Sequence, residues 1–260
     1  MINQELIDFS HHLADISEII AKKYFRCNLG EVKKDDHSPV THADREIETI
    51  IREEITKKYP NHGIVGEELG DNNIASDYKW VIDPIDGTIS FAIGKPIFGT
   101  LIALTYKNKP ILGIINQPIN NERWWGISGK NSYFNDQIIK TRNCKSISEA
   151  VFCTQSPFFF TGEIKEKIEK ITSQTKYQHQ GGAIYSGDCY HFALLAHGFV
   201  DIIIEHGLNN FDFLALVPII EAAGGVITDW NGKKLDINSD GTIIATSNKY
   251  LYDLTYSQFN

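Results

Sequence analysis

Cysteine is scarce, at four residues in 260, and Cys27, Cys144, Cys153 and Cys189 form no Cys-x-x-Cys pair. That count and spacing exclude a disulfide scaffold and a thiolate zinc site, leaving free thiols. Basic charge is short as well. Twenty-five Lys and Arg face 33 Asp and Glu, for a net charge of −8, which disfavours a broad footprint on nucleic acid or anionic lipid. A basic stripe interleaved with aromatics is missing too, so no nucleic-acid partner is expected. Nothing approaches the run of about eighteen apolar residues that a membrane span needs. The first residues, among them Asn3, Gln4, Glu5 and Asp8, lack the basic start and apolar core of a signal peptide, so a cytoplasmic protein is expected. Internal repeats and low-complexity tracts are absent.

What is present is ordinary for a folded chain: 42% hydrophobic and 22% charged residues, enough for one large domain or two halves sharing a core. The acidic excess leaves a phosphate substrate open, because bound divalent cations reverse the sign of a carboxylate pocket. Across residues 6–25, Leu6, Phe9, Leu13, Ile16, Ile19, Ile20 and Tyr24 keep the three-and-four spacing of one helical face. Ala43, Ile47, Ile50, Ile51 and Ile55 do the same, with Thr41 as N-cap. Trp80-Val81-Ile82 reads as a buried strand breaking directly into a turn at Asp83-Pro84. Residues 98–106, 110–117 and 124–127 read as an antiparallel meander. A polar interruption at residues 140–149 sets a soft boundary, giving an N-terminal α+β half over 1–140 and a C-terminal α/β half over 141–260. In the second half the pattern predicts a helix over 189–196 with Asp188 as possible N-cap, a strand over 200–205, one helix over 211–223 and a last strand over 226–229.

Carboxylates are the residues with chemistry to offer. Asp83 and Asp86 bracket Pro84, which fixes its own φ and keeps Asp83 out of the α region, so a rigid turn presents both. Gly87 and Thr88 follow, with backbone N–H groups that can face a phosphate oxygen. Glu67 and Glu68 end the short run after Ile64-Val65, and Asp212 opens an apolar helix. Singly, each has a plainer reading: turn residues, a solvated loop, an N-cap. Together they make a cage for hard cations, which prefer oxygen ligands.

Gly66-Glu67-Glu68, residues 80–88, and Asp212 followed by Glu221-Ala222-Ala223-Gly224-Gly225 resemble the signatures of the inositol monophosphatase family of magnesium-dependent, lithium-sensitive phosphatases. The resemblance runs from Lys33 to about Asp229. It implies a layered αβαβα sandwich of the α+β and α/β kind, two or three Mg2+ per site and direct hydrolysis without a phospho-enzyme. By resemblance Glu67 binds the first and third metals and Asp83 bridges the first two. The Ile85 carbonyl serves the first, and Asp86 and Asp212 the second. Gly87 and Thr88 match the phosphate contacts, and Asp44 the acid that pairs with the threonine to orient the attacking water. After Thr88 the chain departs from the commonest Thr-Asn-Phe, carrying Ile89-Ser90-Phe91, which leaves open what supports this loop from behind.

Residues 98–126 and 211–230, with Ser186-Gly187-Asp188-Cys189-Tyr190, look most like the histidinol-phosphatase branch, which implies a step of histidine biosynthesis. Histidinol phosphate carries an amine and an imidazole, which Asp188 and Glu205 would complement, whereas a neutral polyol gains less from two acids. Glu205 precedes Asp212 by seven residues, where the family places a substrate-contacting glutamate. Other readings stay open: an inositol-1-phosphate or broad sugar-phosphate phosphatase, or a metal- or ligand-binding module without catalysis. Asp188 has the alternative of a plain N-cap and Glu205 of a strand-end surface acid. His191 and His197 read as ordinary helix residues, and His42 as solvated or supporting. Lys33 or Lys34 reads as a phosphate neutraliser or a solvated basic loop. Trp124 and Trp125 belong to the core or to a subunit interface, and the enrichment of aromatics at interfaces makes a homodimer the expected assembly.

Overall fold

Helix α1 (Gln4–Tyr24) starts where Asn3 Oδ1 accepts the Leu6 N–H at 3.0 Å, and it buries Leu6, Phe9, Leu13 and Ile20 along one face. This computed structural model describes residues 2–27, 32–33, 39–40 and 42–259. Thr41, Lys34 and the Lys33 side chain lie outside the described residues. A two-stranded ribbon, β1 (Val32–Lys33) and β2 (Pro39–Val40), leads to α2 (His42–Lys58).

The first half then builds eight strands: β3 (Gly63–Gly66), β4 (Gly70–Asp71), β5 (Tyr78–Asp86), β6 (Gly99–Tyr106), β7 (Lys109–Gln117), β8 (Glu122–Ile127), β9 (Ser132–Phe134) and β10 (Gln137–Ile139), with the short helix α3 (Thr88–Ala92) after β5. Their order is β10-β9-β8-β7-β6-β5-β3-β4, antiparallel except where β3 runs parallel to β5. The meander is as the sequence predicts. The second half holds β11 (Phe152–Thr154), α4 (Gly162–Thr172), β12 (Ile184–Tyr185), α5 (Asp188–Ala196), β13 (Ile202–Glu205), α6 (Asn210–Phe213), α7 (Leu216–Ala223), β14 (Val226–Thr228), β15 (Ile243–Thr246) and α8 (Lys249–Phe259). Its five-stranded sheet has the order β12-β11-β13-β15-β14.

Strand alternation sorts the apolar residues into layers. Trp80, Ile82, Ile102, Leu104, Leu112 and Ile114 face α1 and α2, while Val81, Leu101, Ala103 and Ile115 join Phe192, Leu195, Ile219 and Ile220 of α5 and α7. Cys153, Ile203 and Ala245 reach that same central layer from the second sheet, and Phe152, Ile202, Ile204 and Ile244 pack outward on α4 and α8. The result is an αβαβα sandwich whose middle core is shared by both sheets. Gly113 lets α7 close on β7, since a Cβ there would stand 1.9 Å from the Ala215 carbonyl oxygen. Among the described residues no helix is long and apolar enough to cross a membrane.

Three expectations change. Strand β5 does not break at Asp83 but runs to Asp86 through a bulge, Asp83 pairing with Leu101 and Asp86 with Gly99. Pro84, which has no N–H to give a ladder, is tolerated at such a bulge. The single helix expected over 211–223 is two, α6 and α7; a stretch apolar on all sides gives periodicity nothing with which to mark the break. Asp188 is the first residue of α5, not its cap; Gly187 caps without a side-chain bond. Trp124 takes the core option, at 1% exposure, while Trp125 stacks on Tyr133.

Candidate active site

The bulge in β5 is what makes two aspartates three residues apart into neighbours. In a regular strand, positions i and i+3 point to opposite faces. Here three steps on β5 match two on β6, so Asp83 and Asp86 return to one face. The Thr100 hydroxyl donates to the Pro84 carbonyl at 2.8 Å and holds the distortion. Gly87 follows at φ 84°, left-handed backbone that glycine adopts without strain. From there the chain turns into α3, and the Thr88 hydroxyl donates to the Ile85 carbonyl at 3.2 Å.

Asp212 arrives from the second half by a separate device. It is the third residue of α6 and closes a capping box with Asn209, its Oδ2 accepting the Asn209 N–H at 2.6 Å. Its capping role and its place at the site coexist. One oxygen from each of Asp83, Asp86 and Asp212 lies within 4.8 Å of the others. Glu67, whose N–H donates to the Ile82 carbonyl at 3.2 Å, stands beside this trio.

Crowding of like charge shows in the acidities. Asp83 is pushed well above the usual carboxylate range by burial, then by the charges of Glu67, Asp86, Asp212 and Asp44. Asp86 rises through burial and the charges of Asp188 and Asp212, against the pull of the Cys189 N–H, which donates to it at 2.5 Å. Burial raises Asp212 to about 7, with Glu67 adding to the rise and the Asn209 N–H opposing it. Glu205 is 4% exposed, not a surface acid, and is raised by burial and by Asp86, Asp188 and Asp212. Such a cluster is unfavourable until cations offset it. Asp83 Oδ1 is buried with no hydrogen-bond partner among the described residues. Hard oxygen donors at this spacing fit magnesium.

The remaining expected residues fall around this centre. Asp44 lies buried in the first turn of α2, near enough for its charge to act on Asp83. Asp188 abuts the Gly87 turn from the start of α5: a Cβ built on Gly87 would be 2.8 Å from Asp188 Oδ2. His42 is exposed. His191 is 6% exposed, and burial lowers its pKa to about 4. His197 lies against Trp124.

Sequence reasoning missed several supports. Glu48, fully buried, accepts the N–H groups of Glu68 at 2.7 Å and Leu69 at 3.1 Å and pairs with Arg52 at 2.7 Å. Arg52 in turn reaches the Gly70 carbonyl, so α2 braces the loop that carries Glu67. The signal was there: Asp44, Glu48, Ile51 and Ile55 share one helical stripe, and an acid on a buried stripe is informative. Of the two residues bonded to Asp188, Ser90 is marked in the sequence only as a departure with no partner named, and Gln155 carries no signal, because only the fold brings them near it.

The inositol monophosphatase family model matches residues 2–260. Among curated proteins, the chain is 48% identical over 237 residues to the bifunctional phosphatase IMPL2, chloroplastic, of Arabidopsis thaliana, covering 90% of this chain and 67% of that one. It is 31% identical over 239 residues to a histidinol-phosphatase of Chlorobaculum parvum, covering 90% of each. Among solved structures, an inositol monophosphatase from Zymomonas mobilis superposes with a TM-score of 0.89 at 39% identity, covering 98% of both chains.

Proposed function

The chain belongs to the inositol monophosphatase family and is a phosphatase, and from that premise we propose that it hydrolyses histidinol phosphate. The observation that carries this reading is the carboxylate of Asp188 set against Gly87, with buried Glu205 behind it. An acid touching the phosphate turn gains little from a neutral polyol but suits an ester whose ammonium sits on the carbon next to the phosphorylated one. A relative named histidinol-phosphatase over 90% of the chain agrees.

Asp83, Asp86 and Asp212, with Glu67 and the Ile85 carbonyl, would hold two or three magnesium ions. When bound, magnesium supplies Lewis acidity and neutralises charge on the transferred phosphoryl group. The protein does the rest by position. The Gly87 and Thr88 N–H groups orient the phosphate, and the proton of the attacking water ends on the carboxylate of Asp44 or Glu67, the Thr88 hydroxyl accepting from the water as it passes its own proton on. Cys189 N–H keeps Asp86 aimed inward, while Asp188 and Glu205 receive the cationic end of the substrate. Inhibition by lithium, a homodimer and a cytoplasmic place in histidine biosynthesis belong to the same reading, with family membership as support for the first.

A second reading, an inositol or sugar-phosphate phosphatase, is favoured by the 39% identity to an inositol monophosphatase. Phosphate release with magnesium from histidinol, inositol, sugar and nucleotide esters separates the two. The first reading expects the highest kcat/KM for histidinol phosphate, and an equal or higher value for inositol 1-phosphate refutes it.

A further inference from the structure

Residues 186–188 form a turn whose backbone is costly. Ser186 at φ 61° and Asp188 at φ 44° are both left-handed without being glycine. Conformations of that kind persist only where the surroundings over-determine them, and they concentrate at functional sites. The tethers come from three places. From the exit of β11, the Gln155 carbonyl accepts the Ser186 N–H at 3.1 Å, and the Gln155 side chain both donates to Asp188 Oδ1 at 2.8 Å and accepts the Asp188 N–H at 3.4 Å. From α3, Ser90 Oγ donates to Asp188 Oδ2 at 3.3 Å. From the loop after α3, Lys95 Nζ donates to the Ser186 carbonyl at 3.2 Å.

We propose that Gln155 and Ser90 are positioning residues that set the preference of this enzyme for amine-bearing phosphate esters, by locking Asp188 against the phosphate turn. The inference rests on the reading of Asp188 as receiver of the substrate's ammonium. An ionised carboxylate accepts about four hydrogen bonds. One is used on Oδ1 by Gln155 and one on Oδ2 by Ser90, so each oxygen keeps a lone pair while the group as a whole loses its rotation. An ammonium beside the ester then meets a fixed acceptor and does not have to order it, which is where preorganisation adds affinity. The departure at Ser90 from the commonest family pattern gains a purpose here, because its hydroxyl reaches across to the other half of the molecule. Gln155 suits the task because its amide both donates and accepts, gripping the side chain and the backbone of Asp188 together.

The test compares two esters on the same preparation: histidinol phosphate and 3-(imidazol-4-yl)propyl phosphate, which lacks only the amine. The readout is the ratio of their kcat/KM values, from which any unfolded fraction cancels. Wild type is expected to favour the amine roughly 10- to 100-fold, the worth of a charge-assisted hydrogen bond. Gln155→Leu and Ser90→Ala should bring the ratio to within about threefold of unity, with the loss in KM for histidinol phosphate, and Ser90→Thr should restore it. If wild type discriminates and both variants keep its ratio, the positioning role is refuted while the amine reading stands. A wild-type ratio near one overturns both.

Discussion

Raising the pH of the metal-free protein from about 5 to about 7.5 should destabilise it, the reverse of what an ordinary paired carboxylate does. Asp212 has an ordinary value of 3.8 and is pushed up to about 7 in the fold. Across that interval the native state holds a proton that the unfolded chain has released. Stability is therefore fully present below the lower value and is lost as pH climbs through the upper one. At about 1.4 kcal/mol per unit, the roughly two units between pH 5 and the folded value cap the loss from this group over the interval at about 3 kcal/mol. Asp83 and Asp86 shift the same way. Glu46 and Asp240 are lowered, so their contributions change only at more acid pH. Buried His191, lowered to about 4, gains stability as pH rises to about 6.5 and opposes part of the fall, which the several raised carboxylates outweigh. For a chain of this size the loss corresponds to a fall in Tm on the order of 10 °C. Saturating magnesium should offset most of it at pH 7.5 and much less at pH 5, where protons compete for the same oxygens. Scanning calorimetry in chelator and in magnesium at the two pH values reads all four numbers, and Asp212→Asn should flatten the metal-free difference. A metal-free Tm that is level or rises between these pH values refutes the crowding argument.

Asp86→Asn should lower kcat/KM by about a thousandfold or more at saturating magnesium, each ~1.4 kcal/mol of lost stabilisation being tenfold, and near-normal turnover would remove the assignment. Glu48→Gln, which loosens the brace under the Glu67 loop, should raise the magnesium needed for half-maximal activity about 10- to 100-fold, and calorimetric titration with Mn2+ should weaken in parallel. Arg142 follows β10 and pairs with fully buried Asp201, its Nε 3.0 Å from Oδ1. Arg142→Ala should cost about 1–3 kcal/mol in urea unfolding, because it leaves the buried carboxylate with only the Val151 N–H and the Ser247 hydroxyl.

What could be read without coordinates was whatever local spacing carries: the two N-terminal helices, the meander and the acidic motifs. The bulge in β5 escaped because it is a property of a pair of strands, visible only where Asp83 and Asp86 meet Leu101 and Gly99. Asp212 as a cap and Asp212 as a site residue read as alternatives in one dimension, yet in the fold the carboxylate that accepts the Asn209 N–H also stands within the acidic trio. Strand β15 and helix α8 went unassigned, the first for its brevity and the second for its modest amphipathicity. Glu48 was legible in principle, as an acid between Ile47 and Ile51 on a buried stripe. Gln155 and Ser90 were not, since their partner Asp188 lies 33 and 98 residues away.

The central claim is that Asp83, Asp86 and Asp212 become an anion site only through cations held between them. Anomalous diffraction from crystals soaked in Mn2+ and phosphate tests it directly. The expected map has metal peaks within bonding distance of all three carboxylates and phosphate against the Gly87 and Thr88 N–H groups; a map with no metal there, or with phosphate bound at Gly87 and no cation beside it, contradicts the account.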